Sequence, residues 1–181
     1  MLVCAAACAA LATPASASVL VIGSSSARMC FEAADSPLSP TPDSLRRCDE
    51  ALADEAINTH DAAATHVNRG ILRMRRDQTD LALADFDAAI RIDPAQPEAY
   101  LNKAGALIRL QGDDREAVRL FTAALDNNTV HPELAHFGRA IANEDLGNIR
   151  AAYQDYRAAS VLSPRWALPR TELQRFRVVE R

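Results

Sequence analysis

Asn68 to Pro94 reads NRGILRMRRDQTDLALADFDAAIRIDP. Two apolar patterns of helical spacing lie back to back in this stretch, joined by the polar turn Asp77-Gln78-Thr79. Thr79 is positioned to cap the second helix, and Asp93-Pro94 ends it, because a proline disfavours helical backbone in the residue before it. Small residues fall at Gly70, Ala82 and Ala89, and an aromatic at Phe86. Small side chains let two antiparallel helices approach, and the ring then fills the gap toward an adjacent helix pair.

The same order recurs downstream. Ala104 plays the part of Gly70, and Ala117, Phe121 and Ala124 follow it one residue late, which puts an insertion in the turn from Gln111 to Asp114. Ala140, Gly147, Ala152, Tyr156, Ala159 and Pro164 form a third unit. Thr129 stands where the middle unit would end in proline. Self-similarity at a period of about 34 residues marks an array of helix pairs, each burying its apolar face against the next.

Helices are expected over 60–76, 80–92, 96–110, 114–126, 132–146 and 149–162, with Asn58-Thr59 capping the first. Upstream, 27–34 is a short helix, 35–42 a proline-blocked linker, and 43–53 a helix with Leu45, Cys48, Ala51 and Leu52 on one face. That helix is the second member of a pair whose first member is degenerate or is supplied by 27–34. Downstream, 169–176 is a last short helix, a lid on the open end of the stack.

The N-terminus is expected to be a targeting segment rather than fold. Leu2 to Ala12 is an apolar run of signal-peptide length, and Ala15-Ser16-Ala17 fits small-x-small cleavage, although no basic residue precedes the run. The alternative is a bland alanine-rich tail. Thr13-Pro14 interrupts the run too early for a membrane span. Cleavage after Ala17 leaves Cys30 and Cys48 of the four cysteines. In an oxidising compartment an even pair reads as one disulfide; otherwise these are two small buried thiols. Ser18 to Ser26 holds the apolar run Val19 to Ile22, which is either an extended segment lying on the helices or disorder. The division is therefore a signal peptide 1–17, an extended segment with a short helix 18–42, a half-repeat and linker 43–62, three repeats 63–164, and a cap and tail 165–181.

The chain has 181 residues, enough for a real core, and is 49% hydrophobic with only 5% aromatic, so alanine carries much of the packing. A net charge of -4 lacks the clustered basic excess of a nucleic-acid binder.

Residues 63–164 resemble the tetratricopeptide repeat family in helix–turn–helix length and in small–aromatic–small–proline order. His66 and His136 depart from it, standing where the family often has a large aromatic; Tyr100 conforms. The resemblance implies an all-α, right-handed α-solenoid of about three helix–turn–helix repeats, with a half-repeat before and a short capping helix after. It also implies that the first helix of each repeat lines a concave groove for peptides or partner surfaces. Carried onto this chain, the groove positions are Ala64, Val67, Asn68, Ile71, Met74 and Arg75 in the first repeat. Glu98, Leu101, Asn102, Gly105, Ile108 and Arg109 follow in the second, and Leu134, Phe137, Gly138, Ile141, Glu144 and Asp145 in the third. The partner-binding candidates are Asn68, Ile71, Arg75, Leu101, Asn102, Ile108, Arg109, Phe137 and Ile141. A carboxamide both donates and accepts, so Asn68 and Asn102 suit a peptide main chain or a helix–helix hydrogen bond. Arg75 and Arg109 suit carboxylates or a solvated face. Some members of the family hold a C-terminal carboxylate with a lysine–asparagine clamp; only Asn102 matches that arrangement, so a clamp is not expected. An apolar groove with charged edges suits an apolar helix or strand of a partner.

Catalytic signatures are missing: the chain has no glycine-rich phosphate loop, no GxSxG and no HExxH. His60 and His66, and His131 and His136, miss the i, i+4 spacing of a helical metal pair. The expectation is a non-enzymatic adaptor of the bacterial envelope, periplasmic or secreted, without cofactor or metal. It would bind a protein or peptide but no nucleic acid, and have no membrane segment after signal cleavage. The competing expectation is an assembly component that self-associates through the same groove into a homo-oligomer.

Overall fold

The computed structural model describes residues 17–176 except 22, 24 and 55. The signal-like run, with Cys4 and Cys8, lies outside the described residues. Nine helices are present among those described: α1 (Ser25–Asp35), α2 (Pro42–Leu52), α3 (Thr59–Met74), α4 (Thr79–Ile92), α5 (Pro97–Arg109), α6 (Asp114–Asp126), α7 (Pro132–Asp145), α8 (Ile149–Leu162) and α9 (Ala167–Leu173). Each packs on the next in chain order, so four antiparallel pairs and a cap make an all-α solenoid. The pair before the three repeats is complete, with α1 as its first helix.

Local chemistry sets the helix ends. Thr41 closes a capping box with Ser44, Asn58 accepts from the Asp61 N–H, and Asp113 accepts from the N–H groups of Arg115 and Glu116. Pro42, Pro97 and Pro132 open their helices, where a missing N–H leaves no bond unmade. The turn inside each repeat is the same: a left-handed residue at Asp77, Gln111 or Gly147. The N–H of the following residue then returns to the carbonyl of Arg73, Leu107 or Asn143, at 2.9, 3.0 and 2.8 Å. This turn changes one expectation. Thr79 is the first helical residue, and Gln78 takes the cap position without a side-chain bond. The last helix also starts earlier than expected, at Ala167. Pro169 sits in its first turn, where a proline is tolerated.

The core is a series of clusters rather than one centre. Phe86, fully buried, presses on Gly70, where a Cβ would sit 2.4 Å from the ring. Ala104 packs in one cluster with Phe121, and Ala140 in another with Tyr156. The three small residues thus have like surroundings. Trp166, Leu168, Leu173 and Phe176 close the last cluster. Where the middle repeat lacks its proline, Glu98 takes over the loop. Its buried carboxylate accepts from Thr129 Oγ1 at 3.2 Å and from the Val130 N–H at 3.1 Å.

At the other end Cys30 and Cys48 form a disulfide across α1 and α2, with Cα atoms 4.9 Å apart and a separation of 18 residues. Closing such a loop restricts the denatured chain by about 3 kcal/mol. No helix among the described residues is long and apolar enough to cross a membrane.

Candidate functional site

The first helices of successive pairs touch one another, α1 to α3, α3 to α5 and α5 to α7; among the described residues the second helices make no comparable contact. A stack bends toward the side where its members are closer, so α3, α5 and α7 form the inner face. Residues 17–21 run along this face outside any helix. Asn68 on α3 grips one residue of this segment from both sides: the Val19 N–H donates to Oδ1 at 2.9 Å, and Nδ2 donates to the Val19 carbonyl at 2.8 Å. Asn102 on α5 donates to the Ala17 carbonyl at 3.2 Å and to the Glu98 carbonyl of its own helix at 2.8 Å. The Ser18 hydroxyl donates to Asp35 at 2.8 Å.

The side chains of the segment alternate, as extended chain requires. Ala17 is fully buried beside Leu101, and Val21 is buried with Ala27, Ala51 and Ala64. Val19 packs between the Val21 cluster and the cluster of Val67, Ile71 and Phe86, whereas Leu20 is 62% exposed. Gly23 then passes so close to α3 that a Cβ there would fall 2.3 Å from Asp61 Oδ2. A side chain at this crossing into α1 would force the buried Asp61 carboxylate to shift.

Each remaining candidate has a definite place. Ile71 and Leu101 are buried in the first and second clusters, and Ile108 lies half-buried against the second. Phe137 meets Trp166 at a tilt with ring centres 4.7 Å apart and Tyr156 edge-on at 5.4 Å, with Ile141 beside them. Arg75 donates to the Ser36 carbonyl at 2.6 Å; burial pulls its guanidinium below the ordinary value, and the Asp35 charge opposes that. Arg109 pairs with Asp77 at an exposed edge. Asn68 and Asn102 come together on one strip of the inner face, Arg75 is turned toward the α1–α2 linker, and Phe137 and Ile141 sit one repeat farther on. Glu98, expected to face the groove, is committed to the Thr129 loop.

The third repeat ends in acid. Asp145 is pushed above the ordinary carboxylate value by burial and by the charges of Asp114 and Glu144. Tyr156 donates to Glu144 at 3.1 Å, and burial and that carboxylate push its phenol upward.

Sequence reasoning missed the polar seams between helices. Asp85, 2% exposed, accepts from His66 Nδ1 at 2.9 Å, from Arg69 through Nε and Nη2, and from Arg73 at 2.6 Å. Arg69 also reaches Asp49 on α2 at 2.7 Å. Burial alone would raise the Asp85 carboxyl; the hydrogen bonds from His66 and Arg69 and the two arginine charges outweigh it and hold it below its ordinary value. Asp155 repeats the arrangement with His136 at 2.8 Å and Arg139 at 2.8 and 2.9 Å, and Arg139 also reaches Thr122 on α6. Asp155 is lowered in the same way, by His136 and Arg139 against burial. Among the described residues no group of three or more His, Cys, Asp and Glu side chains is arranged to hold a metal ion.

Solved structures similar to this chain are tetratricopeptide repeat (TPR) domains. The fold is TPR-like. The Arabidopsis OM64 TPR domain superposes with a TM-score of 0.61 at 24% identity, covering 65% of this chain and 96% of that one. The first TPR of Spaghetti (RPAP3), bound to the HSP90 peptide SRMEEVD, gives 0.61 at 21% identity, covering 67% and 94%. The first TPR domain of human RPAP3 gives 0.59 at 23%, covering 65% and 91%. No family model and no curated protein matches the chain.

Proposed function

We propose that this chain is a non-enzymatic interaction adaptor of the bacterial cell envelope that holds an extended segment of a partner protein on its inner face. One observation carries the reading. Asn68 and Asn102, on the first helices of consecutive repeats, bond to main-chain groups of an extended segment. A carboxamide that supplies a donor and an acceptor to one residue is a general device for holding peptide backbone. The TPR-like domain solved with a peptide is consistent with such use of the fold. Export is supported by the apolar N-terminal run and by the Cys30–Cys48 disulfide, a bond that persists in oxidising compartments.

A photo-crosslinking residue at the exposed edge position Arg109, expressed in the native cells, tests the partner. A covalent adduct with another protein supports the adaptor, an adduct with a second copy favours self-association, and no adduct counts against both. Release of the protein by osmotic shock tests the compartment; retention with cytosolic markers would overturn it.

A further inference from the structure

We propose that, in the chain that retains Ala17, residues 17–21 are an intramolecular occupant of the groove, which a partner must displace, and that the partner segment is extended and carries a small residue two positions before a branched one. The proposal rests on the groove reading above and specifies both its regulation and its ligand. The carboxamides of Asn68 and Asn102 address only main-chain groups: the N–H and carbonyl of Val19 and the carbonyl of Ala17. Main-chain bonds carry no side-chain preference, so another extended segment can make the same ones, provided that it has no proline at the Val19 position. Preference comes from the alternating side chains. The Ala17 subsite is closed around a methyl group, with no exposed surface, so it takes only a small residue. The Val19 subsite lies between two apolar clusters and takes a branched side chain. The Leu20 side chain points outward and selects nothing.

The carboxamide register stops after the second repeat. In the third repeat the residue in the register of Asn68 and Asn102 is Gly138, which the Phe121 ring covers. Both carboxamides of this register bond residues 17–21, so an arriving segment has neither to bond without expelling the resident one.

The probe is a fluorescein-labelled peptide of sequence Ala-Ser-Val-Leu-Val, blocked at both ends and titrated by anisotropy. The proteins are the full chain and two variants that loosen the segment. Val19→Pro deletes the N–H that Asn68 accepts, and Val21→Asp places a charge in a buried apolar subsite. The expected result is at least tenfold tighter binding by both variants, abolished when Asn68→Ala is added. Equal binding by all three proteins overturns the displaceable occupant and leaves the adaptor reading standing. No binding by any of them overturns the inference alone, because the adaptor reading is decided by the crosslinked partner. Circular dichroism is recorded alongside. If both variants lose their helix, the segment is a fixed part of the fold and the inference fails.

Discussion

In the first repeat Asp85 gathers His66, Arg69 and Arg73; in the third, Asp155 gathers His136 and Arg139. The histidine–aspartate separation is 19 residues in both repeats, and the arginine–aspartate separation 16. On the inner face the two repeats part. Asn68 holds the main chain of Val19, whereas Gly138 in the same register gives its space to Phe121, and a Cβ there would lie 2.2 Å from the ring. The buried seam ties a helix to its partner and to the pair before it, through Asp49 on α2 or Thr122 on α6. That task is common to the two repeats, so the histidine, the aspartate and one arginine recur, although the register of Arg73 holds Asn143 in the third. The inner face meets whatever lies in the groove, and there a position is free to differ from repeat to repeat.

The largest test of the comparison is at the two aspartates. Asp85→Ala leaves two largely buried guanidinium groups without their shared carboxylate and should cost about 3–5 kcal/mol in urea unfolding. Asp155→Ala releases one arginine instead of two and should cost less. Equal losses would show that Arg73 contributes nothing to the first seam.

Phe86→Ala should also cost about 3–5 kcal/mol, because the ring is fully buried. A loss below about 1 kcal/mol would remove Phe86 from the seam between α3 and α4.

Gly138→Asn would give the third repeat the carboxamide of the first two. Phe121 already occupies that space, so the substitution should destabilise by about 1–3 kcal/mol. Adding Phe121→Leu should restore part of that loss, and absence of any rescue would mean that the ring is not the obstacle.

The smallest effect is in acid. Both aspartates are held below the ordinary carboxylate value of about 3.9. A group lowered on folding adds stability that is full above its unfolded pKa and is lost as pH falls through its folded one. Unfolding midpoints of the wild type should therefore fall below about pH 4, and the drop should shrink in Asp85→Ala. An unchanged pH dependence in that variant would place the acid sensitivity elsewhere.

The repeat was legible in the order of residues alone. Spacing of small, aromatic and proline residues is local, and the helices of the three repeats obey it within one or two residues, from the left-handed Asp77 to the stop at Pro94. The same locality hid the rest. Asn68 could be marked as a groove residue, but its partner Val19 lies 49 residues away, and the partner of Asn102, Ala17, lies 85 away. Arg75 finds the Ser36 carbonyl across 39 residues, and His66 finds Asp85 across a helix pair. No period in the chain encodes such meetings. Only stacking of the helix pairs brought the groove and its own N-terminal segment together, because main-chain bonds and apolar burial depend on what lies adjacent in space.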